Sequence, residues 1–199
     1  GPALLMHGHR SLQTVFEGSW ALLTASERQA HVRLAVFRGG FTREAALQVA
    51  GITLPVLAAL VDKSMLRVDA QGRFDRHALL QGSALSMLQA QPELQAEMAL
   101  RHGRWALAHL LRHHGVLGGG HAGKRAALAA ERDNLLQAWR SWVERGDAAA
   151  LEPALEVLSW WHVVEGRLPD AMALFDAAAG ALVPRWIVQA RASFGPTVK

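Results

Sequence analysis

Apolar residues recur along most of this chain at helical spacing, and polar or glycine punctuation cuts them into segments. From Ser11, the residues Leu12, Val15, Phe16, Trp20 and Leu23 share one face, with Ser11 placed to cap the start. Thr24-Ala25-Ser26-Glu27 is a capping box, in which hydroxyl and carboxylate each satisfy a backbone N–H at a helix start. A second helix is therefore expected from about Ala25 to Phe37, stopped by Gly39-Gly40. Thr42 caps the next, Arg43 to about Ala50, which Gly51 ends. Ile52-Thr53 makes a turn and Leu54 to Asp62 forms a third helix. The period then changes. Ser64 to Asp69 and Arg73 to Arg76 alternate apolar and polar residues around Ala70-Gln71-Gly72, a hairpin pattern. Taken from Leu34 to Leu80, this order is that of a winged helix-turn-helix with a small β-hairpin.

The helical period resumes at His77, breaks at Gln91-Pro92, and continues in a long helix to about His114. Beyond the glycine-rich stretch 115–123, Arg125 to Glu144 places Leu128, Leu135, Leu136, Trp139 and Trp142 close to one face. Arg145-Gly146-Asp147 is a turn, and Leu151 to Glu165 and Leu168 to about Leu182 complete helical hairpins with short turns, the build of an α-solenoid or tetratricopeptide-like repeat. After Val183-Pro184 the pattern fades, and an irregular tail is expected. The expected organisation is 1–10 as tag scar (Gly1-Pro2) and linker, 11–90 as helical lead-in and winged helix-turn-helix, 91–182 as helical repeats, and 183–199 as irregular tail.

Composition narrows the chemistry. Ala and Leu dominate and Tyr is absent, so a mainly α protein is predicted. With no cysteine there is no disulfide, thiolate metal site or cysteine nucleophile, and a reducing, cytoplasmic setting fits. No apolar run approaches the roughly 20 residues that cross a bilayer. The net charge of +4 comes from scattered arginines and does not form the clustered face of a nucleic-acid binder.

Five features invite a functional reading. A helix that reads DNA needs Arg, Lys, Asn or Gln facing base edges. The third helix, LPVLAALVD, has no side-chain donor before Asp62, which points to packing against protein. Gly118 to Lys124 matches the spacing of a phosphate-binding loop, but Arg125 stands where Ser or Thr would hold magnesium, and a helix rather than a strand precedes it. His102, His109 and His113 share a helical face, with His114 and His121 nearby, yet no carboxylate converges on them and no catalytic zinc motif is present. Of the adjacent Trp160 and Trp161, both cannot point the same way on a helix, so one is expected to face a groove or the next repeat. His77, at a helix start beside the hairpin, suits a phosphate, since a ring N–H and helix-end N–H groups can point at one anion. The plain alternative is a capping or surface histidine.

The segments SLQTVFEGSWALLTASERQAHVRLAVFRGGFTREAALQVAG and LAALVDKSMLRVDAQGRFDRHALL resemble the region that follows the nucleotide-binding core in bacterial STAND ATPases, NB-ARC-like regulators often coupled to LuxR-type or other output domains. The later ERDNLLQAWRSWVERGDAAALEPALEVLSWWHVVEGRL resembles the start of their tetratricopeptide-like sensor region, so the likeness covers about Ser11 to Leu182. It implies that the winged helix folds back on the ATPase core and holds an inactive, ADP-bound form. It also implies that a histidine after the wing, in a Met-His-Asp motif, contacts the nucleotide's β-phosphate. Arg76-His77-Ala78 occupies that place, and with Met and Asp replaced the role carries to His77 alone. The family's phosphate-binding loop and acidic magnesium-binding segment are absent from this sequence. The resemblance thus implies a non-enzymatic, cytoplasmic regulatory fragment of a transcriptional regulator, with no cofactor of its own. ATP or ADP and magnesium belong to the intact ATPase. The implied partners are its own nucleotide-binding domain and an inducer or protein on the helical repeats, with no direct nucleic-acid binding and no membrane. The alternative is a freestanding DNA-binding transcription factor with a helical ligand-binding domain, for which steep salt dependence of duplex binding would be the sign.

Overall fold

The computed structural model describes the backbone of residues 18–113 and 122–193, with side chains through residue 181. Within these residues the chain is mainly helical, with one two-stranded antiparallel sheet. It divides into two compact units after Trp105, which are taken in turn. Most of the helix expected from Ser11 lies outside the described residues; its end is seen at 18–21.

In the first unit, α1 (Ala25–Arg33) opens with the capping box. Thr24 Oγ1 accepts from the Glu27 N–H at 3.2 Å, and Glu27 Oε2 accepts from the Thr24 N–H at 2.7 Å. The helix does not reach Phe37. It tightens to a 3-10 turn over Leu34–Val36, and Phe37 is already extended. Gln81 answers the carbonyls left open there, donating to Ala35 O and Phe37 O at 3.1 and 3.0 Å. Gly39-Gly40 therefore serves a different purpose from a helix stop. Phe41 exchanges both backbone hydrogen bonds with Phe74, at 2.8 Å each, and a Cβ on Gly40 would sit 3.1 Å from Phe74 O. With φ at +90°, glycine is required on both counts.

Next, α2 starts as an α-turn at Arg43–Ala45 and continues as a π-turn over Ala46–Ala50, ended by Gly51 at φ +72°. It meets α3 (Leu54–Asp62) at 111°. Strands β1 (Arg67–Val68) and β2 (Phe74–Asp75) pair Arg67 with Asp75 and Val68 with Phe74. The hairpin is shorter than its sequence pattern because the N–H groups of Met65 and Leu66 both turn back to Leu60 O, closing α3. Helices α4 (Ala78–Gln89) and α5 (Pro92–Arg112) follow. Leu34, Phe41, Val49, Leu57, Leu60 and Met65 are buried in the core of this unit. His102 and Trp105, on α5, set their rings edgewise to Phe37 at 5.5 and 5.9 Å. That packing explains why the first unit extends past the α4–α5 break near residue 90.

The second unit contains the end of α5, then α6 (Ala122–Ala130), α7 (Arg132–Arg145), α8 (Ala148–Val164) and α9 (Leu168–Ser193). The single helix expected over Arg125 to Glu144 is broken at Glu131, whose backbone sits at φ −105°, ψ 11°. Its buried carboxylate accepts from Asn134 Nδ2 at 2.8 Å, so the break is stabilised from within. Of the irregular tail expected over 183–199, residues 183–193 are helical, since α9 continues to Ser193, and 194–199 lie outside the described residues. Proline removes one helical N–H, and the stretch RWIVQARAS after Pro184 has neither Gly nor Pro, so the helix can continue. The turn at Arg145-Gly146-Asp147 is as expected: Gly146 is left-handed and Asp147 caps α8 through the Ala150 N–H. No single helix among the described residues is long and apolar enough to cross a membrane.

Candidate functional site

His77 is the N-cap of α4. Its Nδ1 accepts the Leu79 N–H at 3.3 Å and its side chain is exposed. Because Nδ1 accepts, the proton of the neutral ring sits on Nε2, which is the nitrogen able to donate to an anion. A shallow hollow of about 460 Å³ adjoins the ring, lined by Val61, Met65, Val68 and Leu80, with Arg67 at its edge. Capping and phosphate contact use different ring nitrogens, so the geometry accommodates both readings of His77.

The neighbouring Arg76, whose type gave no signal in the sequence, is the unusual group of this region. It is 6 % exposed, donates from Nη1 to His31 O at 3.3 Å, and leaves Nη2 without a hydrogen-bond partner. Burial pulls its pKa down to about 10, with Asp75 acting in the opposite sense. His31 is fully buried with neither ring nitrogen hydrogen-bonded. Burial first, and the Arg76 charge second, push its pKa down to about 3, so the ring is neutral. Trp20 meets it edge-on at 5.8 Å.

The glycine-rich stretch falls mostly outside the described residues; Gly123, Lys124 and Arg125 lie within α6, and the last element described before the stretch is the helix α5. The histidines separate. His102 packs in the first unit on Phe37, while His109 and His113 stand in the second with ring centroids 4.6 Å apart. His113 Nδ1 donates to His109 O at 2.7 Å, and His109 lies 3.4 Å from Ala127 O. His114 and His121 are outside the described residues. Among the described residues no three His, Asp or Glu converge as metal ligands.

The tryptophan pair divides as the helical geometry requires. Trp161 is 3 % exposed and packs in the core, whereas Trp160 is 46 % exposed. Trp160 lines a groove of about 440 Å³ with Leu155, Ser159 and Val163 of α8 and Phe175 of α9, and Glu152 and Glu156 stand at its rim. The sequence pointed to one Trp of the pair. It gave no sign of Phe175, which arrives from the next helix, or of the two carboxylates, which read as ordinary solvated positions. No family model, curated protein or solved structure matches this chain.

Proposed function

We propose that this chain is the non-catalytic regulatory part of a STAND ATPase that controls transcription, with a winged helix restraining the nucleotide-binding core and tetratricopeptide-like hairpins sensing an inducer or partner. The observation that carries this reading is the outer face of α3. Its 111° crossing with α2 and the hairpin that follows suit a winged helix-turn-helix. Yet the face a DNA reader would turn to the groove offers Leu54, 45 % exposed, with Pro55 and Ala58, none of which can hydrogen-bond a base edge through its side chain. Such a face suits another protein surface, and the nucleotide-binding core is the surface the resemblance supplies. His77 then reaches the ADP β-phosphate through Nε2 while Nδ1 keeps α4 capped.

His77→Ala in the full-length protein tests the reading. A hydrogen bond to a charged group contributes about 1.5–3 kcal/mol, so ADP affinity should fall roughly ten- to a hundredfold and uninduced output should rise. Unchanged ADP affinity together with unchanged basal output would overturn it.

A further inference from the structure

The outer face of the α8–α9 hairpin is apolar over a longer stretch than its groove. On α8, Trp160, Val163 and Val164 are 46, 41 and 43 % exposed, and on α9, Leu168, Met172 and Phe175 are 56, 59 and 50 % exposed. The α8 residues follow the i, i+3, i+4 spacing of one helix face, and the α9 residues the four-three spacing of a helix-pairing seam. In the sequence that spacing continues through Ala179, Leu182 and Trp186. Trp160, Val163 and Phe175 line one groove, which joins the two stripes into a single surface.

Area and charge select the occupant. Six large side chains, each about half exposed, present on the order of 600 Å² of apolar surface at about 100 Å² apiece. That is at the top of the range for the largest apolar patch on a monomer, roughly 300–600 Å². A small molecule in the groove of about 440 Å³ would leave Leu168 and Met172 wet. Two such faces packed together bury about 1,200 Å² before any polar rim is counted, which reaches the range of stable interfaces, roughly 1,200–2,000 Å². Residues 148–193 carry five carboxylates against Arg167, Arg185 and Arg191, a net −2. Arg167 is bound to Asp170 at 2.6 Å. Charges this mixed neither repel a second copy strongly nor select a nucleic acid. A seam with coiled-coil spacing is matched by the same seam on another copy, and two-fold pairing is the commonest closed assembly. We infer that the α8–α9 face is a homodimer interface, in which the Trp160 and Phe175 side chains of two copies are buried about a two-fold axis.

Self-association goes beyond the regulatory role proposed above and does not rest on it. Sedimentation velocity of the full chain over a range of concentrations should show a monomer–dimer equilibrium. Trp160→Ala and Phe175→Glu should each raise the dimer dissociation constant at least about tenfold, as loss of a central aromatic anchor does. Leu47→Glu, which alters a 53 % exposed leucine of the first unit, should leave it unchanged. Circular dichroism of each variant separates lost pairing from lost fold, and Phe175→Leu supplies a milder second probe. Because the chain has no cysteine, Met172→Cys gives a single thiol on the proposed interface. Its labelling by a maleimide should be slow at concentrations where the chain is dimeric, and fast when Phe175→Glu is added. A chain that stays monomeric at high concentration would overturn the inference. So would a dimer indifferent to both Trp160→Ala and Phe175→Glu, or a Met172→Cys thiol that labels equally fast in dimer and monomer.

Discussion

His31 makes the stability of the first unit depend on pH in a calculable way. The ring is fully buried, unbonded at both nitrogens, and faces the Arg76 cation, so the folded state holds it neutral down to pH about 3. In the unfolded chain the same ring takes up a proton near its ordinary value of 6.5. Between those values the unfolded state binds more protons than the folded one, so stability is complete above about pH 6.5 and falls as the solution is acidified. Each pH unit well inside the window costs about 1.4 kcal/mol, so moving from pH 7.5 to 4.5 should remove about 3 kcal/mol through this residue alone.

His31→Leu isolates the effect. Leucine needs no hydrogen bonds and fills much of the same space, so at pH 7.5 the variant should be within about 1 kcal/mol of the parent, trading the Trp20 edge contact against two unbonded ring nitrogens. The advantage of the variant should then grow by about 3 kcal/mol by pH 4.5. Amide hydrogen exchange along α1 in both proteins, measured across this range, reads the opening that exposes residue 31. An NMR titration of the parent should show no protonation of His31 over the same range while the protein stays folded. A variant whose difference from the parent does not change with pH would refute the argument, as would a His31 resonance that titrates near 6.5 in the folded state.

Three further outcomes are expected. Arg76→Met should leave the thermal midpoint unchanged or raise it, by up to about 1–4 kcal/mol of stability, because it replaces a buried cation lacking a full set of partners with a compact apolar side chain. Thr24→Ala should cost about 1 kcal/mol in urea unfolding through loss of the N-cap of α1. Lys63→Met removes the partner that, with the Thr24 N–H, holds the Glu27 carboxyl below the usual carboxylate range. Glu27 stabilises the fold above about pH 4.3 and loses that contribution as pH falls through its folded value, so the deficit of Lys63→Met should be largest near neutrality and narrow in acid.

Signals that act within one turn of chain were legible in the sequence. The Thr24–Glu27 box, the Thr42 cap and the Gly146-Asp147 turn each depend on residues three or four apart, and each forms as read. Features set by distant partners were not legible. Gly39-Gly40 looks like a helix stop until Phe74, far along the chain, is seen to need the space. The helical period from Arg125 to Glu144 is unbroken in sequence, and only burial of Glu131 with Asn134 shows why the backbone departs there. The same holds for the sites: the opposite facing of Trp160 and Trp161 follows from helical geometry, but the groove needs Phe175 from the following helix. Arg76 lies beside the residue singled out for phosphate and gave no hint that its own side chain runs inward to His31 O.

The setting of His77 bears on how a switch at this position would work. In the isolated chain its Nε2–H faces water, where a single hydrogen bond to phosphate competes with solvent and contributes little. Its hollow, however, is walled mainly by Val61, Met65, Val68 and Leu80, and Val68 is 49 % exposed. A protein surface that covers those side chains also excludes water from the ring, and the same hydrogen bond then acts in a lower dielectric, where it is stronger. The phosphate contact and the apolar contact are thus coupled, because each gains from the other's formation. Under the proposed function, closure of the winged helix and retention of ADP would be one cooperative event, and truncating either Val68 or His77 would loosen both.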